Sequence, residues 1–447
     1  MNTFHKIFKL LILFLASIIL LYTFYRSEIV YNGLERKNYI IFYSLSILLI
    51  IVYIFFEFSN TKVKEYIIIL SISFIFAAYL FEYYLINQFY TANLSQKELI
   101  EIKSKKLQNK NFDKRSLFEV YKDKKNKNPN VVVRMYPTDN LYNKHLVPLS
   151  GISNSLTIHC NENGYYSEYI SDRYGFNNPN EEWDQEEIEY ILIGDSFTHG
   201  ECVNRPNDFG SILRSLSKKN ILNLGYGGNG PLIQYATIKE YIRPQVKKVL
   251  WIYYSGNDLD NLNSELKSEI LSKYFFEENF SQNLINKQNI SDNLLIDLMN
   301  KAYTKKKNDY VNQNDKKKFR NEIKFLKLYS FRNFLLTYFE NKNIKKNNLD
   351  KFKNILKKTK RILDKNNTKL YFVYLPSYDH LKYATDDKNL QEIKNILNNL
   401  DIDLINIKTE VFDKNKDNLS FFPFRMKGHY TVDGYRLIGK VIYESTK

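Results

Sequence analysis

The chain has 447 residues and carries 65 Lys and Arg against 49 Asp and Glu, a formal charge of +16. That length leaves room for two or three folded units. The basic excess does not mark a nucleic-acid binder, because the lysines are interleaved with asparagine, isoleucine and tyrosine and no RNA- or DNA-binding motif accompanies them; a basic surface facing anionic lipid or an acidic glycan is what composition leaves.

Residues 10–25, 39–56 and 66–81 are three nearly charge-free apolar stretches. Each can cross a bilayer with modest tilt or thinning. Tyr22, Tyr25, Tyr39, Tyr66, Tyr83 and Tyr84 fall where an aromatic ring meets the headgroups. No Ala-x-Ala cleavage site follows Tyr25 and two more spans come next, which argues against a removed signal peptide. Residues 1–90 are therefore read as a three-helix transmembrane region. Lys6, Lys9, Lys62 and Lys64 on one side, against Arg26, Arg36 and Lys37 on the other, favour an inner N-terminus by a small margin. Three spans then place the rest of the chain outside. The 11 Lys/Arg against 5 Asp/Glu in residues 97–127 run the other way, but long translocated domains obey the positive-inside rule poorly.

Residues 91–130 are rich in Lys, Asn and Gln and read as a polar basic linker with one helical stretch around residues 96–108. From Val131 the pattern changes to short strands and turns. Strands are predicted at residues 189–193, 221–224, 248–254, 369–375 and 403–407. Helices predicted at residues 208–217, 232–241, 349–363, 390–400 and 434–443 alternate with them. Such alternation argues for a parallel, doubly wound α/β sheet in residues 131–447, whose ligands sit beyond the carboxyl ends of the strands. The rhythm stops over residues 259–348, a helical insertion with amphipathic stretches at 262–276, 293–303 and 317–339. It begins at a strand end that carries candidate site residues, so its functional reading is a lid or acceptor-binding cap. Its plain reading is a structural helical insertion.

Four segments carry chemistry, all at expected strand ends or close to the last helix. Ile191-Leu192-Ile193 runs straight into Gly194-Asp195-Ser196, which places a serine hydroxyl at a strand-to-helix turn among free backbone N–H groups. Ser as a simple helix cap is the bland alternative. Asn223-Leu224-Gly225-Tyr226-Gly227-Gly228 ends a second strand in glycines that let backbone come close. Ser255-Gly256-Asn257-Asp258 ends a third, and Asn257 offers a side-chain amide. Near the end of the chain comes Gly428-His429-Tyr430-Thr431-Val432-Asp433-Gly434-Tyr435, with a histidine able to serve as base.

On these blocks and their order the sequence resembles the SGNH, or GDSL, hydrolase family. The resemblance covers roughly residues 150–445 and implies a flavodoxin-like three-layer α/β/α domain. Matched residue by residue, it implies Ser196 as nucleophile, His429 as base, and an oxyanion hole formed by Ser196, Gly228 and Asn257, with Asp195 and Asp258 in support. Asp195 is expected to order the turn. Residues 171–177, Ser-Asp-Arg-Tyr-Gly-Phe-Asn, look like the Gly-Phe element that precedes the serine block in bacterial envelope members. One departure stands out. The family places an Asp three residues before the histidine, and here that position is Met426. Neutralising that carboxylate in a serine protease costs about 10⁴-fold in turnover, so a main-chain carbonyl near Met426, Asp379 or Asp433 is expected to take its place.

His199 would lie on the next helical turn beside Ser196 and makes a poor base. His5, His145, His159 and His380 show no metal-ligand spacing, so neither a metal nor another cofactor is expected. The two cysteines, Cys160 and Cys202, permit a disulfide on an outer face; two partly buried thiols are the alternative. The resemblance implies a multi-pass protein of the bacterial inner membrane with an extracytoplasmic serine esterase domain. Its expected partners are the lipid bilayer and an acylated, most simply acetylated, glycan or lipid of the envelope. An O-acyltransferase for an exported polysaccharide, and a non-catalytic glycan-binding module working with polysaccharide-assembly proteins, are the alternatives.

Overall fold

The computed structural model describes residues 2–31, 33, 36–88, 101–104, 112–140, 143, 145–311 and 322–447. The chain divides into two compact units, Met1–Tyr90 with Lys317–Leu336, and Thr91–Lys316 with Thr337–Lys447.

The first unit holds three long helices, α1 (Asn2–Phe24), α2 (Arg36–Phe58) and α3 (Thr61–Gln88). All three are long and apolar enough to cross a membrane, and their most apolar windows are only 17%, 11% and 17% buried within the protein. So much outward-facing Leu, Ile and Phe is stable against hydrocarbon and costly against water. Polar contacts tie α1 to α2: Ser46 Oγ donates to the Ala16 carbonyl at 2.9 Å, and Lys9 pairs with Glu57 at 2.6 Å.

The second unit includes α4 (Leu117–Lys127) and a small sheet of β1 (Val131–Val133), β2 (Leu156–Ile158) and β3 (Glu168–Ile170). Residues 112–130 are thus folded into this unit and do not form a linker. Ser116 and Glu119 close a capping box on α4, which buries Val120 and Tyr121 against Val131 and Ile158. Periodicity was hidden there by the lysines on the exposed face. Of the helix expected around residues 96–108, residues 101–104 are helical and the rest lie outside the described residues.

The main sheet comprises β4 (Ile188–Gly194), β5 (Ile221–Asn223), β6 (Val246–Tyr254), β7 (Lys369–Leu375) and β8 (Asp403–Asn406), all parallel, in the spatial order β5-β4-β6-β7-β8. The period-two alternation of each strand feeds two cores. Ile191, Ile193, Trp251, Tyr253 and Phe372 face one, and Tyr190, Leu192, Leu250, Ile252 and Val373 face the other. Burial on both faces is why these strands read as unbroken apolar runs. The second face is covered by α6 (Phe209–Ser217), the short α12 (Tyr378–Lys382) and α14 (Val432–Thr446), through Phe209, Leu213, Tyr378, Tyr435, Ile438 and Ile442. The first face is covered by α7 (Pro231–Tyr241), α13 (Leu390–Asn399) and the later turns of α11 (Tyr329–Lys365), through Leu232, Ile393 and Phe352. The result is the three-layer α/β/α arrangement expected. Connections run in opposite directions on either side of the β4–β6 pair, and the crevice at such a switch point is where ligands bind.

The described part of the insertion before residue 312 is built into the cores of the domain. The single helix expected at residues 262–276 is two, α8 (Asp258–Glu265) and α9 (Glu269–Phe276), because Ser268 caps a new start. Leu262, Ile270, Leu271, Tyr274 and Leu284 belong to the main core. α10 (Gln288–Val311) lays Leu295 and Met299 against the small sheet. This part of the insertion is wall. Residues 317–321 of the third expected stretch lie outside the described residues.

Candidate active site

β4 ends in Gly194 at φ +157°, where an added Cβ would lie 2.0 Å from Thr198 Oγ1 and 2.5 Å from the Ile252 carbonyl. Only glycine fits this close approach of strand, turn and neighbouring strand. Asp195 then caps α5 (Ser196–His199), its carboxylate accepting the Phe197 N–H at 2.9 Å. The turn leaves Ser196 facing a cavity of about 610 Å³ beyond the carboxyl ends of the strands. At the far end of the chain, Thr431 caps α14 and places His429 just before it. His429 Nε2 lies 2.9 Å from Ser196 Oγ.

The partner of His429 is Glu162. Its Oε1 is 3.2 Å from Nδ1, and its Oε2 accepts the main-chain N–H of the same residue at 2.6 Å. None of the substitutes expected from the sequence fills this place. Asp379 pairs with Lys427 at 2.5 Å, and Asp433 is an exposed partner of Arg436 at 3.1 Å. The carboxylate comes from upstream of the serine, on the loop between β2 and β3. Two cross-links hold that loop: a Cys160–Cys202 disulfide, and the Asn163 amide donating to the Cys202 carbonyl at 3.0 Å.

A second carboxylate reaches the histidine. Glu201, almost completely buried, places Oε2 3.3 Å from His429 Nε2. Its charge is met by Arg134 at 2.9 Å, by His159 at 3.3 Å, and by the Tyr136 hydroxyl at 3.3 Å. Burial opposes ionisation of both acids, yet Arg134, His159 and His429 hold Glu201 well below the carboxylate range, and His429 holds Glu162 below it. For His429 the balance runs upward: burial pulls it down, while Glu162 and Glu201 more than reverse this and push it up to about 9. His199 is a different kind of residue. Its Nδ1 meets the Gly225 carbonyl at 3.3 Å, and burial, aided by His159, pulls it down to about 3, so it is a neutral core histidine.

Ser196, Asn257 and His429 line the same cavity. Asn257 Oδ1 is buried without a partner. Gly228 is not among the lining residues; it lies beside Thr138, and its carbonyl accepts from Asn261 at 3.4 Å. Asp258 accepts the Tyr254 N–H at 3.1 Å. Burial pushes Asp195 up to about 7, and burial together with Asp195 raises Asp258 well above the carboxylate range. The remaining wall mixes polar side chains, among them Asp260, Asn348, His380, Asp387, Asn389 and Lys427, with the apolar surfaces of Phe197, Tyr253, Tyr254 and Leu259. The Ser171–Asn177 element is a scaffold: Asp172 accepts from the Tyr174 and Phe176 N–H groups, the Asn178 amide and the Trp183 indole. Two clusters, His159 with Cys160 and Glu201, and Glu162 with Cys202 and His429, bring metal-type donors together. Both sulfurs are in the disulfide, so neither cluster has a thiolate to offer.

Sequence reasoning missed Glu162, Glu201, Arg134 and His159. The one available signal for Glu162 was the pair of cysteines, since a Cys160–Cys202 link draws residue 162 towards the serine turn.

No family model and no curated protein matches the chain. Solved structures similar to it include a protein described as lipolytic and of the G-D-S-L family from Desulfitobacterium hafniense, at 12% identity and TM-score 0.32, and an acetyl xylan esterase, at 13% identity and TM-score 0.31. Each likeness covers 58% of this chain and 99% of the other.

Proposed function

We propose that the protein is a membrane-anchored serine esterase that removes acyl groups, acetyl in the simplest case, from a hydroxyl-rich glycan of the cell envelope. The observation that carries this reading is the 2.9 Å approach of His429 Nε2 to Ser196 Oγ, with Glu162 on the opposite nitrogen. Glu162 accepting from Nδ1–H fixes the tautomer whose Nε2 lone pair takes the serine proton. Ser196 Oγ then attacks the ester carbonyl. The oxyanion is met by the Ser196 N–H and the Asn257 amide; one such donor contributes about 10²- to 10³-fold. The alcohol leaves with the proton from His429, and water, activated by the same imidazole, releases the acid. Carboxylates, amides and an amine around the cavity suit hydrogen bonding to a sugar better than packing of a long acyl chain.

The test is labelling of the full chain with a serine-directed phosphonate, followed by acetate release from an acetylated oligosaccharide. Modification at Ser196, lost in Ser196→Ala and in His429→Ala, is expected. An unlabelled Ser196 at any pH up to that of full His429 deprotonation would sink the reading. Acetate retained on an added sugar acceptor, with little free acid, would make the enzyme a transferase.

A further inference from the structure

Residues 322–336 of the insertion belong to the unit of the apolar helices. Glu82, near the end of α3, is fully buried, and its carboxylate accepts the N–H groups of Ser330 at 2.9 Å and Phe331 at 2.6 Å, at the start of α11. A carboxylate there satisfies helix N–H groups that have no intrahelical partner and meets the positive end of the dipole. It accounts for an acid kept in a segment where charge is expensive. Around this contact the Tyr79 hydroxyl donates to the Leu326 carbonyl at 3.0 Å, the Tyr79 ring meets Phe325 at 5.4 Å, and the Phe81 ring meets Phe331 at 5.6 Å. The Arg332 guanidinium lies 5.2 Å from the centre of the Phe42 ring. Phe42 is in the second turn of α2. In consecutive spans the start of one and the end of the next share a membrane face, so the segment sits at one end of the helices, at the level where the hydrocarbon gives way to headgroups.

What the segment turns outward fits that level. Leu326 is 66% exposed and Tyr329 42%; Lys327 and Arg332 are exposed beside them, and the amine of half-buried Lys324 lies 5.0 Å from the centre of the Tyr329 ring. We propose that residues 322–336 form an interfacial element, latched by Glu82, that lies in the headgroup layer of the membrane the spans cross. Leu326 and Tyr329 enter the acyl boundary, and Lys324, Lys327 and Arg332 bind the phosphates of anionic lipids. Apolar and aromatic side chains beside long basic ones are the pattern of a helix lying in the bilayer surface. Each basic residue adds attraction to an anionic leaflet.

The experiment uses the full chain in nanodiscs. Both native cysteines are paired, so an environment-sensitive fluorophore can be attached at Leu326→Cys, with Arg436→Cys on exposed α14 as control. Spin-labelled phospholipid is expected to quench the probe at residue 326 several-fold more than the control, and its emission to shift to the blue. Equal quenching and equal emission at the two sites overturn the proposal. A second measurement needs no substitution. Tryptic cleavage after Lys324 and Lys327 is expected to slow several-fold when phosphatidylcholine is replaced by phosphatidylglycerol, and a rate indifferent to that change overturns the anionic-headgroup contact.

Discussion

Glu162 holds His429 at two points, its Oε1 3.2 Å from Nδ1 and its Oε2 on the main-chain N–H at 2.6 Å. The carboxylate that stabilises the imidazolium therefore also fixes the position of the backbone that carries it. Glu162→Gln is expected to lower kcat by about 10³- to 10⁴-fold with little change in KM, as neutralising a triad carboxylate does. Steady-state kinetics on an activated acetyl ester checks this. A loss below tenfold would remove Glu162 from the catalytic group.

The two carboxylates flanking His429 set its pH behaviour. Pushed up to about 9, the imidazole carries a proton at neutral pH and cannot take that of Ser196. The rate is expected to rise with pH towards a midpoint near that value, and Glu201→Gln to move the midpoint down. The same shift bears on stability. The folded-state value stands above the unfolded one of 6.5, so the stabilisation from this residue is complete below about pH 6.5 and is lost as pH rises through about 9. Glu201→Gln also leaves Arg134 buried without its partner, at a cost of about 3–5 kcal/mol. A pH–rate profile and thermal midpoints across the alkaline range read both effects.

Gly428 precedes the histidine for a steric reason. A Cβ there would stand 2.6 Å from Glu162 Oε2 and 3.0 Å from its carboxyl carbon. The side chain can swing away, so Gly428→Ala is expected to leave the fold and its thermal midpoint nearly unchanged. It should lower kcat in the same sense as Glu162→Gln, by roughly 10- to 10³-fold given the range of triad effects. Unaltered kcat in Gly428→Ala would mean that the carboxylate does not need its observed position.

The sheet was legible in the sequence because its strands are buried on both faces, so Ile191 to Ile193 and Val249 to Tyr254 appear as unbroken apolar runs ending in Gly-Asp-Ser and Gly-Asn-Asp. Strand ends shifted by no more than two residues. Ser196, Asn257 and His429 were legible because local punctuation marks each. Glu162 was not: it sits between Asn161 and Asn163 on a polar loop, and only the closure of that loop onto Cys202 and His429 gives it a role. Glu201 carries no local signal either: it follows Gly200 in an ordinary polar turn, and only the fold shows it buried beside His429. The insertion was ambiguous for a different reason. The 3.6-residue periodicity of Leu262, Ile270 and Tyr274 is the same whether a helix covers a cleft, walls a sheet or rests on a membrane.

The disulfide joins the loop of Glu162 to the segment that follows Ser196, across a sequence separation of 42 residues. A cross-link of that span stabilises by typically 2–4 kcal/mol in chain-entropy terms. Its local effect is larger for the site, because Cys160 is two residues from Glu162 and Cys202 is next to Glu201. The paired substitution Cys160→Ala with Cys202→Ala is therefore expected to do two separable things. The thermal midpoint falls, and kcat falls with it even well below that midpoint, because Glu162 is no longer kept on His429. The pH–rate midpoint should move down as well, since a carboxylate that drifts off the imidazole stops raising its affinity for a proton. A variant that loses stability but keeps both kcat and the wild-type pH midpoint would show that the loop holds Glu162 in place without the cross-link.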